Sequence, residues 1–315
     1  MKFSTPIPIQ EYPFQITHNT SIVSFGSCFS ENIGEKLAYH KFDICINPFG
    51  ILFNPISVSR AIEDCLAAKE YTENELKTNN QIHFSYNHHS SFSSLSRKET
   101  LDLINEGIKK GGDYLEKSKT VIITLGTAWV YKLKETNETV ANCYKMPANL
   151  FTKELLSINS IVDAMNKTIA KLKEQNPEIN IITTISPVRH WKDGVVENQQ
   201  SKSTLHLALK QINETQLNCH YFPSYEIMMD ELRDYRFYAK DMLHPSELAI
   251  EYIWDKFADS FFDIKTKELN KRISQIQREK NHKLLNPESK DSIAFSKKIK
   301  EKEIQLYSEF PFLKH

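Results

Sequence analysis

The sequence predicts an α/β protein built on a parallel sheet of about five strands, followed by a helical extension. Three observations predict it. Short apolar runs recur along the chain, most of them β-branched, and each is closed by a glycine, a proline or a turn signal. Segments with apolar residues at helical spacing lie between them. Small, nucleophilic and titratable side chains collect directly after the runs, where open parallel sheets place their sites.

Residues 1–20 hold three prolines and read as an extended lead-in. Ile22, Val23 and Phe25 form the first strand, stopped by Gly26, and residues 31–40 read as a helix with Ile33 and Leu37 on one face. Residues 42–46 form the second strand, closed by Asn47-Pro48-Phe49-Gly50. Asn54-Pro55 opens a helix through Ile56, Ala61, Ile62 and Leu66. Residues 70–99 are polar and irregular, and residues 101–115 are helical. Residues 121–125 are the clearest strand, ended by Gly126, and residues 130–152 read as an excursion with a polar middle. A helix over 157–173 precedes the fourth strand, 181–185, which Ser186-Pro187 ends. A helix over 201–217 precedes the fifth, 219–222, ended by Pro223. Pro245 and Ser246 open a final core helix with Ala249, Ile253, Phe257 and Phe261 inward. The expected division is a catalytic core over 1–263 and a basic extension over 264–315. That extension carries 13 Lys/Arg against 7 Asp/Glu, a net +6, and Asn286-Pro287 is expected to start its second helix.

Composition narrows the function. With 315 residues and 40% hydrophobic content the chain can bury one sizeable core. A formal net charge of zero implies no nucleic-acid partner. Five cysteines, an odd number without a CxxC pair, argue against a disulfide framework and a zinc ribbon. No run reaches membrane-spanning length, and the N-terminus lacks the apolar core of a signal peptide, so the cytoplasm is the expected location and no membrane partner is expected. His83, His88 and His89 have no carboxylate or cysteine at ligand spacing, so no metal is expected. No phosphate-cradling glycine motif occurs, and no cofactor is expected.

The chemistry concentrates at two places. Gly26-Ser27-Cys28 puts a thiol and a hydroxyl in a tight turn between a strand and the positive end of a helix, a setting that lowers a thiol pKa. Asp241 and His244 lie three apart just before a helix, so the carboxylate can hold the imidazole in one tautomer. The bland alternatives are a turn whose small residues only pack, and a capping Asp beside a solvated His. Arg189 and His190, after the fourth strand, suit an anionic or sugar group; pairing of Arg189 with a carboxylate is the alternative. Trp129 and Trp191 suit sugar stacking or a plain rim role, and Cys45, Cys65, Cys143 and Cys219 read as small buried apolar residues.

Gly26-Ser27-Cys28-Phe29-Ser30 resembles the name-giving motif of the GSCFA family, which is related to the SGNH (GDSL-type) hydrolases. Segments 125–131, 142–145, 186–190, 197–199 and 89–92 are similar to family segments too, and together they span about residues 20–260. The resemblance implies an SGNH-hydrolase-like three-layer α/β/α fold and ester hydrolysis or acyl transfer on a small-molecule or carbohydrate-linked ester. In the Gly-Asp-Ser block of that superfamily, Ser27 takes the Asp position and Cys28 the nucleophilic serine position; Ser27 as nucleophile stays open. Asp241 and His244 match its Asp-x-x-His block. Gly50 fits its oxyanion glycine, whereas Gly126-Thr127-Ala128 lacks the expected Asn, with Thr127 or Asn142 as substitutes. His89 is implied to line the pocket. The competing expectation is a binding module that keeps the fold without efficient chemistry. Homo-oligomers through the C-terminal helices are a further expectation.

Overall fold

The computed structural model describes residues 4–8, 10–282 and 286–314. The chain runs β1 (Ile22–Gly26), α1 (Cys28–Tyr39), β2 (Ile44–Ile46), α2 (Pro55–Leu66), β3 (Lys77–Asn79), β4 (Ile82–Phe84), α3 (Arg97–Lys117), β5 (Thr120–Leu125), β6 (Trp129–Leu133), β7 (Thr139–Val140), β8 (Phe151–Leu155), α4 (Ile158–Gln175), β9 (Asn180–Ile185), α5 (Val195–Thr215), β10 (Cys219–Tyr221), the single turn α6 (Ser224–Glu226), α7 (Glu247–Phe261), α8 (Ile264–Asn281) and α9 (Lys290–Glu309).

The main sheet has the order β10-β9-β5-β1-β2 and is parallel throughout. Its strands are the five read from the sequence. Alternation along each strand sends side chains to two faces. Val121, Ile123 and Leu125 pack with α2, α3, α4 and α5, while Ile22, Ile122 and Ile182 pack with α1 and α7. The result is a three-layer α/β/α sandwich. Each fully buried Ile or Leu in these layers contributes about 1.5–3 kcal/mol relative to exposure.

Some helix starts follow the sequence reading, as at Asn54-Pro55, and others differ from it. Helix α1 starts at Cys28, not residue 31, because Phe29 packs into the core and Ser27 takes the cap position. Asn54 caps α2 by accepting the Ser57 N–H at 2.8 Å. In the extension Ser289, not Asn286, caps α9, accepting the Ser292 N–H at 3.2 Å; residues 286–289 form a turn before it. The polar stretch 70–99 contains the β3–β4 hairpin, and the 130–152 excursion is the antiparallel sheet β7-β6-β8.

Helices α8 and α9 share a small apolar cluster through Leu269, Ile273, Ile276, Ile299 and Leu306. They meet the core at the N-terminal ends of the sheet strands. His40 Nε2 lies 2.8 Å from Ser274 Oγ, and the Lys41 ammonium lies 5.2 Å from the Tyr307 ring centroid. The opposite edge, where the strands end, is left to the loops described next. Among the described residues no helix is long and apolar enough to cross a membrane, and the five cysteines are free thiols.

Candidate active site

Strand β1 delivers the chain to Gly26, whose φ of +142° is open to glycine and strained for other residues. A Cβ there would be driven into the Thr124 carbonyl of β5. That carbonyl accepts the Ser27 N–H at 3.1 Å, so the turn is fastened to the neighbouring strand. Ser27 is fully buried, and its hydroxyl has no hydrogen-bond partner among the described residues. Cys28, half-buried, is the first residue of α1, where a backbone N–H has no intrahelical acceptor. The thiol differs from expectation. Burial, and then the Glu31 carboxylate one turn along the helix, push its pKa up, against the Phe29 N–H and the Lys202 charge, which pull it down. Desolvation outweighs the helix terminus.

Asp241 and His244 form a tight pair in the loop before α7. His244 Nδ1 lies 2.6 Å from Asp241 Oδ2. The other carboxylate oxygen accepts the N–H groups of Leu243 at 2.9 Å and His244 at 3.0 Å. These backbone donors first, then the ring, hold the Asp241 carboxyl at about 2. Both side chains are about half exposed, which leaves the second ring nitrogen open to solvent or substrate.

The groups between Cys28 and His244 come from β9 and α5. The His190 ring packs edge-on to Phe53 with centroids 5.3 Å apart, and the His190 backbone N–H donates to Asn198 Oδ1 at 2.8 Å. Burial, then the charges of Lys202 and His244, hold this imidazole neutral, with a pKa near 3. Lys202 has no exposed surface; its ammonium donates to the Gly126 carbonyl at 2.7 Å and the Ser186 carbonyl at 2.6 Å, tying together the ends of β5 and β9. Burial, then Arg189, bring it down to about 7, and the Cys28 sulfur acts in the opposite sense. Lys202 is therefore coupled electrostatically to Cys28, and His190 to His244. No hydrogen bond among the described residues joins the Cys28 sulfur to His244 directly.

The residues named for an oxyanion pocket are already engaged. The Gly50 N–H donates to the Asn47 carbonyl at 2.7 Å, and His89 packs over Gly50, where a Cβ would meet its side chain. The Thr127 N–H donates to the Phe53 carbonyl at 3.0 Å, and its hydroxyl lies 2.9 Å from Ser201 Oγ. Asn142 Oδ1 accepts the Tyr144 N–H at 2.9 Å, and none of its hydrogen bonds among the described residues reaches Cys28. Trp129 is a rim residue: its indole N–H donates to the Glu197 carbonyl at 3.1 Å, and the Lys153 ammonium sits 4.5 Å from its ring centroid. His88 is stacked on Phe49 in the interior, and burial holds it near 3.

The sequence reading passed over Lys202 and Ser201. One signal was available. Asn198, Ser201, Lys202, Leu205, Ala208, Leu209 and Ile212 follow helical spacing and all face inward, so the lysine lies on the buried stripe of α5. A cavity of about 1190 Å³ lies elsewhere, between α1, α7 and α8, and is lined by neither the thiol nor the Asp241–His244 pair.

Comparison with known proteins follows from this arrangement. No curated protein matches the chain. Solved structures with a similar fold include one titled a putative platelet activating factor from Streptococcus pneumonia, at 12% identity and a TM-score of 0.38, covering 76% of this chain and 82% of that one. A carbohydrate esterase family 3 protein from Talaromyces cellulolyticus matches at 10% identity and 0.35, covering 80% and 98%. The acetyl xylan esterase Est2A from Butyrivibrio proteoclasticus matches at 11% and 0.39, covering 79% and 64%. The GSCFA family pattern runs from residue 21 to residue 257, taking in the Cys28 turn, the buried lysine and the Asp241–His244 loop alike, and the chain belongs to the GSCFA family.

Proposed function

We propose that the protein is an SGNH-type acyl-ester hydrolase or acyltransferase in which Cys28 attacks and His244, oriented by Asp241, moves the proton. The observation that carries this reading is the 2.6 Å Asp241–His244 pair on the same strand-end edge as Cys28. A raised thiol favours general-base attack over a preformed thiolate–imidazolium pair. His244 Nε2 takes the thiol proton as sulfur adds to the ester carbonyl. It returns that proton to the leaving alkoxide, giving a thioester. Water, or an acceptor alcohol, then attacks with its proton passing to the same nitrogen, and the Cys28 thiol is restored. The Cys28 N–H at the helix start is the available oxyanion donor.

The test is hydrolysis of 4-nitrophenyl acetate by the wild type and by Cys28→Ala, Ser27→Ala and His244→Ala, each with a thermal melt. Cys28→Ala and His244→Ala lose at least about 100-fold in kcat/KM with little change in Tm, and Ser27→Ala retains activity. Activity in Cys28→Ala with none in Ser27→Ala would make Ser27 the nucleophile. A second reading, a binding module without efficient chemistry, is favoured by the engaged Gly50 N–H and the missing Asn. A wild type inactive on every ester tested supports it.

A further inference from the structure

The Arg189 guanidinium is out of balance with its surroundings. It offers five N–H donors in a planar fork. Among the described residues it forms no ion pair, its Nε is buried without a partner, and its Nη1 finds only the Met229 thioether sulfur at 3.6 Å. Two phenol hydroxyls share the shortage. Tyr238 points to the same sulfur at 3.7 Å, and Tyr225 reaches only the Gln199 amide oxygen at 3.4 Å. The ammonium of Lys202 lies within electrostatic reach of Arg189 and adds positive charge to the region. A thioether is a weak acceptor, and a buried donor left unsatisfied costs about 1–3 kcal/mol. Among the described residues no carboxylate hydrogen-bonds to Arg189, Tyr225 or Tyr238, although Glu226 and Asp230 lie within electrostatic reach of Tyr225, and an oxyanion would complete the donors.

Its placement ties it to the chemistry. Arg189 adjoins His190, and its backbone N–H donates to the Leu243 carbonyl, at 3.4 Å, inside the loop that holds Asp241 and His244. The arginine is therefore held, through its backbone, against the loop that carries the base. We infer that Arg189, with Tyr225 and Tyr238, forms a subsite for an oxyanion on the substrate, a carboxylate or a phosphate, so that the natural ester is negatively charged. The location of the subsite on the substrate rests on the acyl-ester reading; the anion site itself does not. A planar guanidinium suits either anion because it can donate two parallel hydrogen bonds.

The experiment separates the two. Cys28→Ala protein, which cannot turn over, is titrated calorimetrically with sodium succinate and with inorganic phosphate at low ionic strength, with chloride as control. At least one of them binds with a Kd of about 1 mM or tighter, and adding Arg189→Gln weakens it at least about 10-fold. Succinate alone marks a carboxylate site and phosphate alone a phosphate site. No binding of either, or binding that Arg189→Gln leaves unchanged, overturns the inference. Should Arg189→Gln not fold, Arg189→Lys keeps the charge and loses the fork. A fall of about 3-fold or more then supports the subsite, and unchanged affinity overturns it. With active protein, 4-nitrophenyl hemisuccinate is cleaved about 10-fold better than 4-nitrophenyl acetate if the anion is a carboxylate. Arg189-dependent binding without hydrolysis of any ester keeps the anion site and removes the acyl-ester reading.

Discussion

Replacing Lys202 by Met removes a buried ammonium that has no exposed surface and that, among the described residues, bonds only the Gly126 and Ser186 carbonyls. Folding moves this lysine from an ordinary 10.5 to about 7. At 1.36 kcal/mol per pH unit the displacement is worth at most about 5 kcal/mol between the protonation states. The sign follows from proton counting. Between about pH 7 and about pH 10.5 the unfolded chain holds a proton that the folded protein lacks, so stability rises with pH across that window. The penalty of burying the charge is complete below about 7 and absent above about 10.5. Urea unfolding of the wild type and Lys202→Met from about pH 6 to about pH 10 isolates the effect, since other titrating groups cancel in the difference. The wild type should gain on the variant by about 1 kcal/mol per pH unit above neutrality. A difference that stays flat or falls with pH refutes the displaced lysine.

Other outcomes follow from the same geometry. Gly26→Ala, whose Cβ would come within 2.8 Å of the Thr124 carbonyl carbon at a φ of +142°, should cost about 3 kcal/mol or more in chemical denaturation. A stability unchanged within error would mean that β1 and β5 part easily there. Iodoacetamide labelling of Cys28 should have its midpoint above the ordinary thiol value, and Lys202→Met should move it higher still; a midpoint near neutrality contradicts the burial effect. A chain ending at Asp263 should keep its core circular dichroism spectrum and lose a few degrees of Tm with the His40–Ser274 contact. Aggregation in size-exclusion chromatography would show that α8 and α9 cover surface the core needs covered.

The strands were legible because most pair a β-branched run with an unambiguous stop, as residues 121–125 do before Gly126. Helix starts were less so. Cys28, Phe29 and Ser30 look like turn residues by themselves, and only the burial of Phe29 between sheet and α7 makes them the first turn of α1. The sheet formed by β6, β7 and β8 read only as an excursion with a polar middle, because lysines and glutamates interrupt its alternation. At the site, Asp241 and His244 were readable since three residues of spacing suffice to join them. Lys202 was not: a lysine in a helix reads as solvated, and only the approach of two strand-end carbonyls, 60 residues apart in sequence, converts it into an interior group. The fate of the Gly50 N–H was equally hidden, because a turn of positive φ at Asn47 decides where it points.

The fastening of Ser27 to Thr124 also sets an order of events in time. Strand β1 starts at residue 22 and its partner β5 at residue 120, about 100 residues later. At typical synthesis rates that interval is about 5–20 s, and α5 and the Asp241–His244 loop follow later still. Throughout it the nascent chain carries Cys28 as an ordinary accessible thiol with no carbonyl to hold its turn and no lysine beneath it. The turn takes shape in one late step, when a strand from far along the chain docks against β1, so that a ribosome-bound fragment would expose fully a sulfur that the finished fold half-buries.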